Sequence, residues 1–208
     1  MEVQIPSLFI SPASILMSGI TGAGKTSLLK RIIAEPSLFS RPAKRIILCY
    51  GVWQSGYNDM KGVEFRKGLD IPDDLDPENH SIVILDDLMR EVANSKTAEG
   101  LFTKGSHHKN VTVFFLVQNL YVQGVSGHTI RLNCHYYIIL NNRTDLDKIA
   151  RLGRKIGMKD TLMLAYKDSC ESKPYGYLIV DVSPHNPNPQ LLIKTNIFSG
   201  EELTVYME

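Results

Sequence analysis

Short apolar, β-branched runs alternate along the chain with stretches whose apolar residues recur at helical spacing. The runs predict strands at residues 14–18, 45–50, 81–85, 111–117 and 135–140, with later ones at 177–181 and 191–195. Between them, Leu28, Leu29, Ile32 and Ile33 form one stripe with Lys30 and Arg31 off it, and Pro36 ends that helix. A second helix is expected from an N-cap pair, Thr144 and Asp147, through Ile149, Leu152 and Ile156 to Gly157. Strand and helix in alternation predict an α/β fold with a mainly parallel central sheet flanked by helices. "GLDIPDDLDPENH" and "SPHNPNPQ" read as turn-rich surface loops, and no internal repeat is visible.

Composition narrows this picture. A chain of 208 residues, 43% hydrophobic and 22% charged, can bury a full core, and residues 1–208 read as a single domain. No run of about 20 apolar residues offers a membrane-spanning segment, and the start "MEVQIPSLFISP" lacks the pattern of a signal peptide. The expectation is a soluble, intracellular protein. Cys49, Cys134 and Cys170 follow no metal-finger spacing and leave one thiol over in any disulfide scheme, so reduced thiols are expected. The adjacent His107 and His108 have no partner at zinc-site spacing.

A formal net charge of +1 hides a segregation. Residues 58–91 hold ten acids against four bases, whereas residues 100–144 contain no acid and carry Lys104, Lys109, Arg131, Arg143 and four of the six histidines. Two readings stand side by side: this segment faces a polyanion such as nucleic acid, or it is acid-poor because two buried strands occupy it.

The first predicted strand runs into "GITGAGKTS", where Gly19, Gly24, Lys25 and Thr26 satisfy G-x-x-x-x-G-K-[ST] ahead of a helix. Glycines at this spacing let the backbone wrap closely around phosphate. Amide groups of Thr21, Gly22, Ala23, Gly24 and, at the helix start, Lys25, Thr26 and Ser27 then point at an ATP polyphosphate. Lys25 would reach the β- and γ-oxygens, and the Thr26 hydroxyl would ligate Mg²⁺. In "SIVILDDL" a buried strand delivers Asp86 and Asp87 to its C-terminal edge, a Walker B pattern in which Asp86 holds the Mg²⁺ shell. Asp87 is either the general base that polarises water or a helix N-cap. "VTVFFLV" ends in Gln118, either a γ-phosphate sensor or an ordinary strand-end hydrogen bonder.

In this order the motifs resemble those of the genome-packaging ATPases of the FtsK and HerA superfamily, most closely those of Polinton (Maverick) elements and related large DNA viruses. The resemblance runs nearly end to end. It rests on "SGITGAGKT", Gln54 and Tyr57 in a "Q..Y" pair, "VILDDLM", "LFTKGSHHKNVTVFFLVQNLYVQG", "LNCHYY", "NNRTDL", "PYGYLIVD" and "LLIKTNIF". Two departures stand out: His128 replaces an arginine often found before "T-I-x-L-N", and Ser106 and Lys109 stand where relatives tend to have arginine near the "SHHK" turn.

The resemblance implies a P-loop NTPase of the ASCE type, a homo-oligomeric ring (hexamer or pentamer) with ATP between subunits, and translocation of double-stranded DNA. It also implies a capsid or vertex partner and work at the site of virion assembly. A neighbour's arginine then completes each site. Arg143 is expected at the sheet's C-terminal edge level with Lys25, Arg131 nearer the opposite edge, and Arg151 and Arg154 on a helix face. Lys104, His107, His108 and Lys109 are the candidate DNA contacts, although loop packing explains the histidines almost as well. A P-loop kinase, a cellular FtsK/HerA-like translocase and a nucleotide-gated assembly protein with little turnover are the alternatives. DNA-stimulated turnover separates a motor from the kinase and the assembly protein, and the family resemblance is what separates packaging from the cellular translocase.

Overall fold

A computed structural model describes residues 7–105, 109–186 and 188–207. Its centre is a nine-stranded sheet in the order β3-β2-β4-β5-β1-β6-β7-β8-β9. The strands are β1 (Ser14–Ser18), β2 (Arg45–Tyr50), β3 (Val63–Lys67), β4 (Ser81–Asp86), β5 (Val111–Val117), β6 (Tyr136–Leu140), β7 (Tyr177–Asp181), β8 (Ile193–Thr195) and β9 (Thr204–Tyr206). The first six are parallel, and β7, β8 and β9 extend the sheet antiparallel.

Successive side chains of a strand point to opposite faces, and here both faces are covered, which is why the central strands read as unbroken apolar runs. On one face Ile15, Met17, Ile84 and Phe114 pack with Leu28, Leu29 and Ile32 of α1 (Lys25–Ile33). On the other, Leu16, Val83, Leu85, Val113 and Phe115 meet a layer of helices. These are α2 (Met89–Ala93), α3 (Lys96–Gly100), α4 (Val125–Leu132), α5 (Leu146–Ile156) and α6 (Lys159–Tyr166). Each fully buried aliphatic or aromatic side chain contributes roughly 1.5–3 kcal/mol relative to exposure.

Three expectations shift. The α5 cap is not the Thr144 and Asp147 pair: the Asn142 side chain accepts from the Thr144 amide (3.2 Å) and hydroxyl (2.7 Å), and a 3₁₀ turn Arg143–Asp145 precedes the helix. The last predicted run divides, its start folding into the 3₁₀ turn Pro189–Leu191 and only Ile193–Thr195 pairing as a strand. Edge strands β3 and β9 escaped the pattern because they are partly exposed, and Glu64, Arg66 and Lys67 alternate with the apolar residues of β3. Cys49, Cys134 and Cys170 are buried and free.

Register sets the working edge. Tyr50 pairs with Asp86, Asp86 with Leu116, Ser18 with Val117, and Ser18 with Ile139. The ends of β2, β4, β5, β1 and β6 therefore lie level, and the loops that follow them converge.

Candidate nucleotide site

The loop after β1 is tied to its neighbours before it turns. The Gly19 amide donates to the Val117 carbonyl (3.2 Å) and the Ile20 amide to the Asn141 carbonyl (3.4 Å). Gly22 (φ 82°) and Gly24 (φ 96°) occupy the left-handed region, which side chains disfavour, so two of the loop's glycines are required by backbone conformation. Gly24 caps α1 without any side chain in the way, and Tyr175, itself left-handed at φ 57°, lies against it: a Cβ on Gly24 would meet the Tyr175 ring at 3.0 Å.

Lys25 Nζ donates to the carbonyls of Gly19 (2.6 Å) and Ile20 (3.1 Å). Burial lowers its pKa, and the negative charges of Asp86 and Asp87 oppose that shift. The cation is therefore held at the loop by carbonyl dipoles and by two carboxylates that lie beyond ion-pair contact.

A chain of hydrogen bonds joins the two halves of the site. The Thr26 hydroxyl donates to Gln54 Oε1 (3.0 Å), Gln54 Nε2 donates to Asp86 Oδ2 (3.4 Å), and the Tyr57 hydroxyl donates to the same oxygen (2.8 Å). Asp86 is buried, and desolvation raises its pKa, against the Tyr57 hydrogen bond and the Lys25 charge. Burial and the Asp86 charge also push the Tyr57 hydroxyl far above its ordinary range, so it stays a donor. Gln54 and Tyr57 belong to the "Q..Y" pair, whose spacing carried no role until the 3₁₀ turn Ser55–Tyr57 swung both toward β4.

Asp87 adopts φ 56°, and its backbone carbonyl leaves room at position 51 only for glycine, because a Cβ added there would sit 2.3 Å from the oxygen. Aspartate is among the few non-glycine residues that tolerate that conformation. The exposed Asp87 carboxylate does not cap α2, which has Leu88 at its N-cap position and no side-chain cap.

The donor set fits Mg²⁺–ATP. One buried carboxylate and one hydroxyl, bridged by Gln54, suit a cation that takes its remaining ligands from phosphate and water. Among the described residues no group of three or more His, Cys, Asp or Glu side chains forms a metal cage independent of substrate.

No protein-family profile matches the chain, and no protein of curated function matches it in sequence. Solved structures do match. The genome packaging NTPase B204 of Sulfolobus turreted icosahedral virus 2, in complex with ATP-γ-S, is 12% identical over 97% of each chain, with a TM-score of 0.56. B204, the DNA-packaging ATPase of Sulfolobus turreted icosahedral virus, is 13% identical over 93% of this chain and 96% of that one, with a TM-score of 0.59. The cytoplasmic domain of the Thermomonospora curvata type VII secretion ATPase EccC is 15% identical, with a TM-score of 0.51, and covers 93% of this chain by 25% of its own. This is a P-loop NTPase fold.

Within that fold, β5 lies between β1 and β4, so Gln118 falls between the Lys25 loop and Asp86, as an ASCE arrangement requires. Its backbone carbonyl accepts from Asn142 Nδ2 (2.8 Å), whereas its exposed side-chain amide has no hydrogen-bond partner among the described residues. Arg143 follows β6 by three residues on the same edge, is exposed, and pairs with no carboxylate among the described residues.

Arg131 departs from expectation. Although it precedes β6, its guanidinium donates to the Val122 carbonyl and lies 4.9 Å from the Tyr121 ring centre, on the same side as the loop after β5. A long side chain at the end of α4 spans what topology alone placed apart. His107 and His108 lie outside the described residues. Lys109 precedes β5 and so lies at the opposite edge from Lys25.

Asn142 and Asp145 were not singled out in the sequence. Asp145 is buried and accepts from the Leu120 amide (2.7 Å) and Lys148 Nζ (2.7 Å). Together with the Asn142 bond to Gln118, this ties the Arg143 turn to the end of β5. No spacing rule reveals such a pair, because the partners are 24 and 25 residues apart.

One consequence concerns Tyr57. Tyr57→Phe keeps the buried ring but leaves Asp86 without its shorter hydrogen bond. Outer-shell changes of this kind cost about 10- to 100-fold in metal affinity. The Mg²⁺ concentration for half-maximal ATP hydrolysis should rise by about 10-fold, measured by Mg²⁺ titration at saturating ATP. An unchanged midpoint would remove Tyr57 from this role.

Proposed function

We propose that the protein is an ATP hydrolase that drives double-stranded DNA into a viral capsid, working as a homo-oligomeric ring at the site of virion assembly. The observation that carries this reading is the meeting of Lys25, Thr26, Asp86, Asp87 and Gln118 on one sheet edge, with Arg143 following β6 on that edge and holding no carboxylate partner among the described residues. Likeness over nearly the whole chain to a packaging NTPase supports the choice of motor over kinase.

In this reading the loop amides and Lys25 bind the polyphosphate, Thr26 and Asp86 hold Mg²⁺, and Asp87 takes a proton from the attacking water. Bound Mg²⁺ would supply charge neutralisation at the transferring phosphoryl group. Gln118 orients the γ-phosphate end of the substrate. Arg143 acts on the site of the neighbouring subunit. Among the described residues no helix is long and apolar enough to cross a membrane.

The test is steady-state ATP hydrolysis with and without duplex DNA. Turnover should require Mg²⁺, rise with duplex, and lose the duplex response as salt increases, because phosphate contacts release counterions. Tight nucleotide binding with negligible turnover would favour an assembly protein, and phosphate transfer to a small acceptor would favour a kinase.

A further inference from the structure

Behind the end of β5 lies an open cleft of about 830 Å³, separate from the phosphate loop and bordered by α2, the 119–124 loop, the end of α4 and the start of α5. Its charged lining is entirely cationic: Arg90, Arg131 and Lys148. Asn94, Asn119 and Gln123 add neutral hydrogen-bonding amides. Lys148 alone has a carboxylate partner, Asp145.

Two arginines lie over an aromatic ring of the lining, Tyr121: Arg131 from the lining itself and Arg151 from beside it. The guanidinium carbons of Arg131 and Arg151 lie 4.9 Å and 5.5 Å from the centre of Tyr121. Arg131 is otherwise satisfied by the neutral Val122 carbonyl and a 3.5 Å approach to His128, and neither Arg90, Arg131 nor Arg151 pairs with a carboxylate among the described residues. Two like charges on one ring repel each other, and the ring's own attraction is worth only about 0.5–1 kcal/mol per cation at an exposed site. Such a set is completed by an external anion. The lining cations come from three different elements around the cleft, Arg90 from α2, Arg131 from the end of α4 and Lys148 from the start of α5, which suits an extended anion.

We propose that this cleft binds the sugar–phosphate backbone of duplex DNA, with Arg90 and Arg131 of its lining, and Arg151 beside it on the Tyr121 ring, on phosphates and the amides on phosphate or sugar oxygens. The inference rests on the motor reading above and assigns its DNA contacts to the edge behind β5. The adjacent residues Gln118 and Asn119 then face two sites, nucleotide and DNA, from one strand end. This gives duplex binding a direct route to the hydrolysis site.

The experiment measures binding of a short random-sequence duplex by fluorescence anisotropy over a range of KCl concentrations, in full-length protein. Arg90→Gln with Arg151→Gln changes exposed side chains that hold no ion pair, and unchanged thermal unfolding would show that the fold is kept. Each lost phosphate contact should lower the slope of log affinity against log salt by about 0.9, so the double variant should lose nearly two units. Arg154→Gln with Lys155→Gln, exposed on α5 and neither lining the cleft nor lying over the Tyr121 ring, should leave the slope near wild type. An unchanged slope in the first variant, or an equal loss in the second, would overturn the cleft assignment while the motor reading stood. Loss of ring assembly by native mass spectrometry, at an unchanged slope, would also overturn it and point to an acidic segment of a neighbouring subunit as occupant. Absence of duplex binding by the wild type would instead overturn the motor reading itself.

Discussion

Lys25→Ala should leave a folded protein with no measurable ATP hydrolysis. The side chain lies at the loop mouth, held by the Gly19 and Ile20 carbonyls and close enough to Asp86 and Asp87 to feel both charges. Removing it takes away the one cation the loop itself supplies, at the place where negative charge must be neutralised during phosphoryl transfer. Loss of one such electrostatic contact costs on the order of 10²–10³ in rate, and more where the group also binds the ground state. Asp87→Asn provides the contrast. It should still bind ATP, because Lys25, Thr26 and Asp86 are intact, and hydrolyse it very slowly. Single-turnover hydrolysis with a parallel nucleotide-binding titration distinguishes the two, and near-normal turnover in Asp87→Asn would remove it from the base role.

Mixing Lys25→Ala with Arg143→Ala, each inactive alone, should restore part of the hydrolysis. Arg143 is exposed at the working edge without a carboxylate partner among the described residues, while Asn142 and Asp145 fix its turn to the end of β5. A guanidinium held in this way is available to an adjoining subunit, and arginine fingers of this type are worth about 10³ to 10⁵ in rate. In a ring built from repeated head-to-tail contacts, random mixing gives roughly a quarter of the interfaces an intact Lys25 on one side and an intact Arg143 on the other. Recovery of activity, with mixed rings verified by native mass spectrometry, is the expected result. If mixed rings form and stay inactive, while the equivalent mixture with Arg151→Ala or Arg131→Ala recovers, the finger is that other residue and the DNA cleft loses one of its cations.

The central strands were legible because burial on both faces leaves a direct trace: β1, β2 and β4 have apolar middles between polar ends, and β5 is apolar except for Thr112. Edge strands leave no such trace, and β3 and β9 were missed for that reason. The phosphate loop was legible because its chemistry is local: glycines at fixed spacing, one lysine and one hydroxyl lie within eight residues of chain, Gly19 to Thr26. The cap of α5 was misplaced because Thr144 lies inside a 3₁₀ turn that Asn142 caps, and the helix itself starts after Asp145 with no side-chain cap.

By itself the sequence determined the α/β class, the phosphate loop, the paired aspartates and the arginine that follows β6, since each is written in residues close together along the chain. The tertiary structure alone decided which strands are neighbours. Inserting β5 between β1 and β4 brings Gln118 beside the loop, and the turn after β2 carries Gln54 and Tyr57 onto Asp86. It also decided where long side chains end. Arg131, Arg151 and Arg90 come from three separate helices, and their gathering behind β5 depends on helix packing and side-chain reach, which no spacing along the chain encodes.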